Sequence, residues 1–218
     1  FEPLPTILVT SPRDKIERLE SVFLEADLPP STREMLETII LDQEGLSSIE
    51  ENIGGLSTFP NMLPTYDLRT TIDIAGHEWL HSHLFFQPLG RNIHKDSNMR
   101  ILNETTANIF GKELSNLIYT QLTGQNSQKL AVGQKEVDEC PKELFCFNNE
   151  MRQTRLMADT LLGKGQIEEA ETYLEKQRQR FVDNGYAIRK LNQAFFAFHG
   201  TYSDSPTSTS PINNQLMQ

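Results

Sequence analysis

Five residues constrain this chain more than any others: His77-Glu78-Trp79-Leu80-His81. Residues four apart share a helix face, so His77 and His81 can present two imidazoles to one ion. Glu78 lies about 100° further round, within reach of a water on that ion but off the ligand positions. Two neutral nitrogens and a carboxylate that can take and return a proton are the donor set of a zinc-dependent hydrolytic site. So short a pattern arises by chance in roughly one chain in a hundred of this length, and its flanks must therefore agree with it. Thr70 to Gly76 leads in, and Ser82 to Phe86 leads out before Gln87-Pro88 stops the helix. Ile72, Ala75, Trp79 and Phe86 recur at helical spacings beside a stripe of Leu80 and Leu84, which predicts a largely buried helix. Buried imidazoles and carboxylates need partners, and one zinc ion per chain supplies them all.

A third protein ligand should leave one position open for water. Glu104, after 22 intervening residues, is the candidate within Ile101-Leu102-Asn103-Glu104-Thr105-Thr106-Ala107-Asn108. Asn108 lies one turn beyond Glu104, where its oxygen can accept the outer N–H of a ligand histidine. Ala107 is small enough for this helix to approach the first closely. The competing reading is a solvated helix with Glu104 and Glu113 as surface charges; Asp96, the other nearby acid, has no such outer partner at helical spacing. Asn103-Glu104-Thr105 also fits a glycosylation sequon, which a buried ligand excludes.

His-Glu-Trp-Leu-His followed by Leu-Asn-Glu-Thr-Thr-Ala-Asn resembles the gluzincin metallopeptidases, and its Asn-Glu-x-x-Ala form is similar to the zinc aminopeptidases. The resemblance implies His77, His81 and Glu104 as zinc ligands and Glu78 as the base that activates water. The sequence departs from the thermolysin-like pattern at Asn108, where those proteins carry aspartate, and in a longer gap between the two motifs. The run Arg189-Lys190-Leu191-Asn192-Gln193-Ala194, ending His199-Gly200-Thr201-Tyr202, resembles a bacterial group of aminopeptidase-like proteins. The likeness spans about 54–108 and 186–202. It points to Tyr202 as the donor to the reaction's oxyanion, ahead of Tyr66 and His199. Exopeptidases of this class pair substrate backbone with a glycine-containing edge strand. Gly54, Gly55 and Leu56 are the matching stretch, with a plain turn before a core strand as the competing reading. His83 and His94 are expected at the surface or behind the ligands.

With 218 residues, 37% of them apolar, the chain can bury one substantial core. A net charge of −10 argues against nucleic acid or an anionic membrane as the main partner. No run reaches the roughly 20 apolar residues of a membrane span. The first residue, Phe1, is expected to follow a processing or excision point, and a tether can precede it. Similar bacterial proteins look membrane-tethered, so the resemblance implies an extracytoplasmic or tethered location.

In chain order, Leu4 to Thr10 reads as a short strand, held to an edge or a start by its prolines. Ser11-Pro12 opens an expected helix to about Asp27, with Ile16, Leu19, Val22 and Phe23 inward. A helix from Thr32 to about Gln43 follows, with Met35, Leu36, Ile39 and Ile40 inward, ended by Gly45. The stretch from Leu46 to Asp67 is irregular, and a long helix spans Asn98 to about Leu122. A flexible loop is expected over 123–142. Cys140 and Cys146 form either a disulfide or two free thiols. Two helices, Leu144 to Leu162 and Gln166 to Asn184, precede a last one from Ile188 to His199. After Tyr202 the composition predicts a mobile tail.

These features predict one α+β, mainly α-helical domain over 1–218, zincin-like, with a core at about 46–122, a small edge sheet and a helical C-terminal part. The expected activity is zinc-dependent hydrolysis of peptides or proteins, aminopeptidase ahead of endopeptidase. The alternative is a non-catalytic binding or scaffold protein that keeps the fold around a structural zinc.

Overall fold

β-Branched residues alternate along the first strand, β1 (Thr6–Pro12), and turn Ile7 and Val9 into the core. The structure, a computed structural model, describes residues 4–53, 67–124 and 145–218. β1 is the centre of a three-stranded antiparallel sheet between β2 (Ser21–Leu24) and β3 (Leu46–Asn52), in the order β2-β1-β3. Val9 sits opposite Ser21 on one side and Ile49 on the other.

The helix expected from Ser11 to Asp27 is absent. Leu19 N–H donates to the Thr10 carbonyl at 3.0 Å and Thr10 N–H to the Glu20 carbonyl at 3.1 Å, extending the ladder of a hairpin. Ser11 Oγ bonds Lys15 O and Glu17 N, each at 3.2 Å, which organises the connecting loop. Phe23 and Val22 pair with Ile7 and Leu8 on an edge strand, where both are exposed rather than inward. Tertiary pairing has overridden a helical spacing.

Helix α1 (Pro30–Glu44) ends at Gly45, whose φ of 65° is the left-handed cap that glycine adopts without strain. Its inward residue is Glu37, whereas Met35 and Ile39, expected inward, are exposed. Glu37 accepts from Arg189 at 2.6 and 3.0 Å, from Lys190 at 3.0 Å and from the Glu50 N–H at 2.8 Å. A buried charge is tolerable when paired in this way. Arg33 Nε lies 2.8 Å from the neighbouring Glu50 Oε2 without being aligned for a hydrogen bond.

Helix α2 (Leu68–Leu84) starts where Asp67 accepts from Thr70 N–H at 2.7 Å, and α3 (Pro88–Arg91) follows. Helix α4 (Ser97–Thr123) is capped by Asp96, which accepts from Met99 N–H at 2.8 Å. Contrary to the expected burial, only Gly76 and Leu80 of α2 are buried; Trp79 and Phe86 are exposed. Helix α2 packs chiefly on α4 through this narrow strip. The metal-motif helix is therefore braced from one side.

Helices α5 (Phe147–Leu162) and α6 (Ile167–Asp183) form a hairpin. Helix α7 (Gln193–His199) begins later than the expected Ile188, because Asn192 caps it by accepting from Phe195 N–H at 2.9 Å. The sheet, α5, α6 and α7 share one core of Val9, Ile49, Met151, Leu174, Phe181 and Phe196, all fully buried. Each large apolar side chain there contributes roughly 1.5–3 kcal/mol.

The expected tail is instead packed. Ser203, Thr207 and Ser208 are buried, Arg155 donates to Thr207 O at 2.9 Å, and a short α8 (Ile212–Leu216) lies against α4. Its serines and threonines bond within turns and to neighbouring helices, contacts that composition does not encode. Cys146 is disulfide-bonded; Cys140, the chain's other cysteine, lies outside the described residues, as does most of the expected 123–142 loop. Among the described residues no helix is long and apolar enough to cross a membrane.

Candidate metal centre

The centre stands on the crossing of α2 and α4. Gly76 and Gly111 allow that crossing to be close. A Cβ on Gly111 would stand 2.6 Å from the Asp73 carbonyl and 3.2 Å from His77 N. Ala107, on the same side of α4 one turn earlier, is fully buried. Small residues at the contact bring Glu104 of one helix within reach of both histidines of the other.

His77 Nε2 and His81 Nε2 are 3.0 Å apart, and Glu104 Oε2 lies 3.5 Å from the first and 3.3 Å from the second. These are the three metal-ligating groups that cluster among the described residues. A tetrahedral ion with bonds of about 2.0–2.1 Å sets its donor atoms about 3.3–3.4 Å apart. The observed triangle has that size. Two imidazole nitrogens that face each other can share only one proton across 3.0 Å, so a cation satisfies this donor set better than water or a lone proton.

Charge agrees with the geometry. Burial pushes the Glu104 carboxyl up, but hydrogen bonds from both imidazoles outweigh it and bring its pKa down to about 2. It is ionised, as a ligand must be. Burial pulls His81 down, yet Glu104, the charge of Glu78 and the Asn103 side chain raise it overall. Burial pushes Glu78 up, against the charges of the two histidines. The Glu78 carboxylate makes no hydrogen bond or ion pair among the described residues, which leaves it free for a solvent proton. The side chains of His77, His81 and Glu104 keep 13%, 16% and 18% of their exposure, so solvent still reaches the centre.

Tyr202 reaches the same place from the C-terminal segment. Its ring centroid is 6.0 Å from that of His77, and its hydroxyl interacts with Glu104. Burial first, then the charges of Glu104 and Glu78, hold its pKa above the ordinary phenol value. Ser203 N–H donates to the buried Thr105 Oγ1 at 3.1 Å, one residue beyond Glu104, and this bond sets where Tyr202 stands.

Asn108 is not the outer partner expected of it. Its amide donates to Asp204 Oδ2 at 2.8 Å, beside Lys112 at 2.6 Å. With this charge-assisted bond Asn108 fastens the Tyr202 segment to α4. The residue beside His81 is Asn103, which sequence reading passed over except as part of the motif. Asn103 is 1% exposed, which also excludes the sequon from use in the folded chain, and its Oδ1 has no hydrogen-bond partner at ordinary distance. A histidine whose Nε2 faces a metal carries its proton on Nδ1 and needs such an acceptor.

Of the remaining candidates, His199 pairs with Glu51 at 3.6 Å and packs on Phe195 and Phe198. His83 stacks on Trp79, and His94 is exposed beside Arg100. Gly54, Gly55, Leu56 and Tyr66 lie outside the described residues. Two cations near Glu104, Arg18 and Arg100, also escaped the sequence reading. The first sits in the hairpin loop, where the sequence predicts a helix, and the second lies one turn before Glu104 on α4. Comparison with known protein families, curated proteins and solved structures finds no match to this chain.

Proposed function

We propose that this chain is a zinc-dependent peptidase of gluzincin type with a zincin-like fold, acting as an aminopeptidase, the form its Asn-Glu-x-x-Ala motif implies. The observation that carries the reading is the convergence of His77 Nε2, His81 Nε2 and Glu104 Oε2 within 3.0–3.5 Å, at a centre that solvent still reaches. Structural zinc sites are closed by four protein ligands, whereas hydrolytic ones keep three and an open position. Three ligands among the described residues, with side chains still partly exposed, favour hydrolysis over the scaffold reading. Zinc held there would supply Lewis acidity, making a peptide carbonyl electrophilic and water acidic enough to react near neutral pH.

The chain's own residues supply the rest. Glu78 takes a proton from the attacking water and returns it to the leaving amine. Burial shifts its carboxyl upward, in the direction that makes both transfers easier near neutrality. Tyr202 stays protonated because its pKa is pushed up, and so keeps a hydrogen to donate to the oxyanion. Glu78→Gln keeps the shape and removes the base. With zinc content unchanged, hydrolysis of a broad panel of short peptides should fall by about 10²–10⁴-fold. Unchanged turnover in Glu78→Gln would contradict the mechanism, and no turnover by the zinc-loaded wild type on any peptide would favour the scaffold reading.

A further inference from the structure

Beside the metal centre, an open cavity of about 60 Å³ is lined by Arg18, Arg100 and Arg155, with Glu17, Phe196 and Thr201 also on its walls. Three guanidiniums on one cavity are unexpected in a chain with 30 acidic and 20 basic residues. Arg155 is spoken for: it bonds Asp159 at 2.8 Å and Thr207 O at 2.9 Å. Glu17, the cavity's one acid, is paired with Lys15.

Arg18 and Arg100 are different. Arg18 Nε donates to Ser21 Oγ at 2.7 Å and its guanidinium lies 5.4 Å from the Phe198 ring centroid. Arg100 has only a 3.5 Å contact to His94. Neither has a carboxylate partner among the described residues. Two like charges therefore face one cavity, and each is partly removed from water. Burial and the charge of Arg100 bring the Arg18 pKa down to about 10, although Glu104 and Tyr202 hold it up. Burial also lowers Arg100. This is a cost that an anion between them would relieve.

Position says which anion. Arg100 precedes Glu104 by one turn of α4, about 6 Å along the axis, and Thr201 on the cavity wall precedes Tyr202. A peptide residue spans about 3.3–3.6 Å, so a group in this cavity belongs one or two residues from a bond lying at the metal centre. Resting on the peptidase reading of that centre, we propose that Arg18 and Arg100 bind a carboxylate of the peptide substrate, within two residues of the cleaved bond. Planar guanidiniums match a carboxylate with paired hydrogen bonds. The carboxylate is either the C-terminus of a short peptide or an acidic side chain.

Binding of four probes separates these sources without turnover: acetyl-Ala-Asp-amide against acetyl-Ala-Asn-amide, and acetyl-Ala-Ala against acetyl-Ala-Ala-amide. Each is titrated at low ionic strength into zinc-loaded wild type, Arg18→Gln and Arg100→Gln, and followed by NMR. At least one carboxylate probe should bind about tenfold more tightly than its amide twin, the scale of one charge-assisted hydrogen bond. Each substitution should remove most of that preference. Preference for the Asp probe assigns a side chain, and preference for free acetyl-Ala-Ala assigns the C-terminus. Equal binding of both twins to wild type overturns the proposal. So does a preference that survives both substitutions, as direct binding to the metal would. If one variant fails to fold, the other and the wild-type comparison decide. A protein that hydrolyses nothing yet shows the preference would sink the peptidase reading and leave the anion site standing.

Discussion

Gly111 of α4 lies directly against Asp73 of α2: a Cβ there would come within 2.6 Å of the Asp73 carbonyl oxygen. The obstructing atom is backbone, so the helices must part to admit even a methyl group. Gly111→Ala is expected to destabilise the fold by about 1–3 kcal/mol, the usual cost of overpacking. It should also weaken zinc binding, since Glu104 moves with α4 and the histidines with α2. Urea unfolding with a zinc-competition titration measures both. A variant with wild-type stability and affinity would show that the crossing does not need this glycine.

Asn103 and Asn108 should separate cleanly. Asn103→Ala removes the acceptor beside His81 and is expected to cost about 10–100-fold in zinc affinity. Asn108→Ala should leave that affinity within about threefold, because its partner is Asp204. It should instead lower kcat by loosening the segment that holds Tyr202. The reverse pattern in a chelator competition would return the outer-partner role to Asn108.

Tyr202→Phe deletes one hydroxyl. If that hydroxyl donates to the oxyanion, kcat falls by about 10²–10³-fold with KM and zinc content nearly unchanged. A change confined to KM would make Tyr202 a binding residue only.

Glu37 should mark the acid limit of the fold. Burial alone would raise its pKa, but Arg189, Lys190 and the Glu50 N–H reverse that and hold it below the ordinary carboxylate value. The unfolded value is about 4.3. Stability from this group is therefore complete above that pH and is lost as pH falls through the lower, folded value. Glu37→Gln should cost about 2–3 kcal/mol at pH 7, less than a fully buried pair because Arg189 and Lys190 are about a third exposed. Its urea midpoint should also fall less steeply than wild type below pH 4. Parallel midpoint curves for the two proteins would count against the pairing.

Much of the centre was legible in the sequence because it is local. His77 and His81 are one turn apart, and Glu104 follows on a helix whose long periodic run is plain to read. Helices α5 and α6 were legible for the same reason. What escaped depends on distant pairing. Arg18 was hidden because Ile16, Leu19, Val22 and Phe23 carry a helical spacing, while their backbone pairs with β1. Asn103 was overlooked because its value lies in a contact on the flank of α4, away from the face that carries Glu104. The packed segment after Tyr202 has the composition of a tail, and only bonds such as Ser203 to Thr105 and Asp204 to Asn108 order it.

The most direct test of the central claim is metal content by elemental analysis, on wild type and Glu104→Ala purified without added metal and again after zinc is supplied. The three-ligand centre predicts about one zinc per wild-type chain, lost or much weakened when Glu104 is removed. Wild-type protein that holds no zinc even when it is supplied, or a Glu104→Ala variant that holds it equally well, would contradict the account.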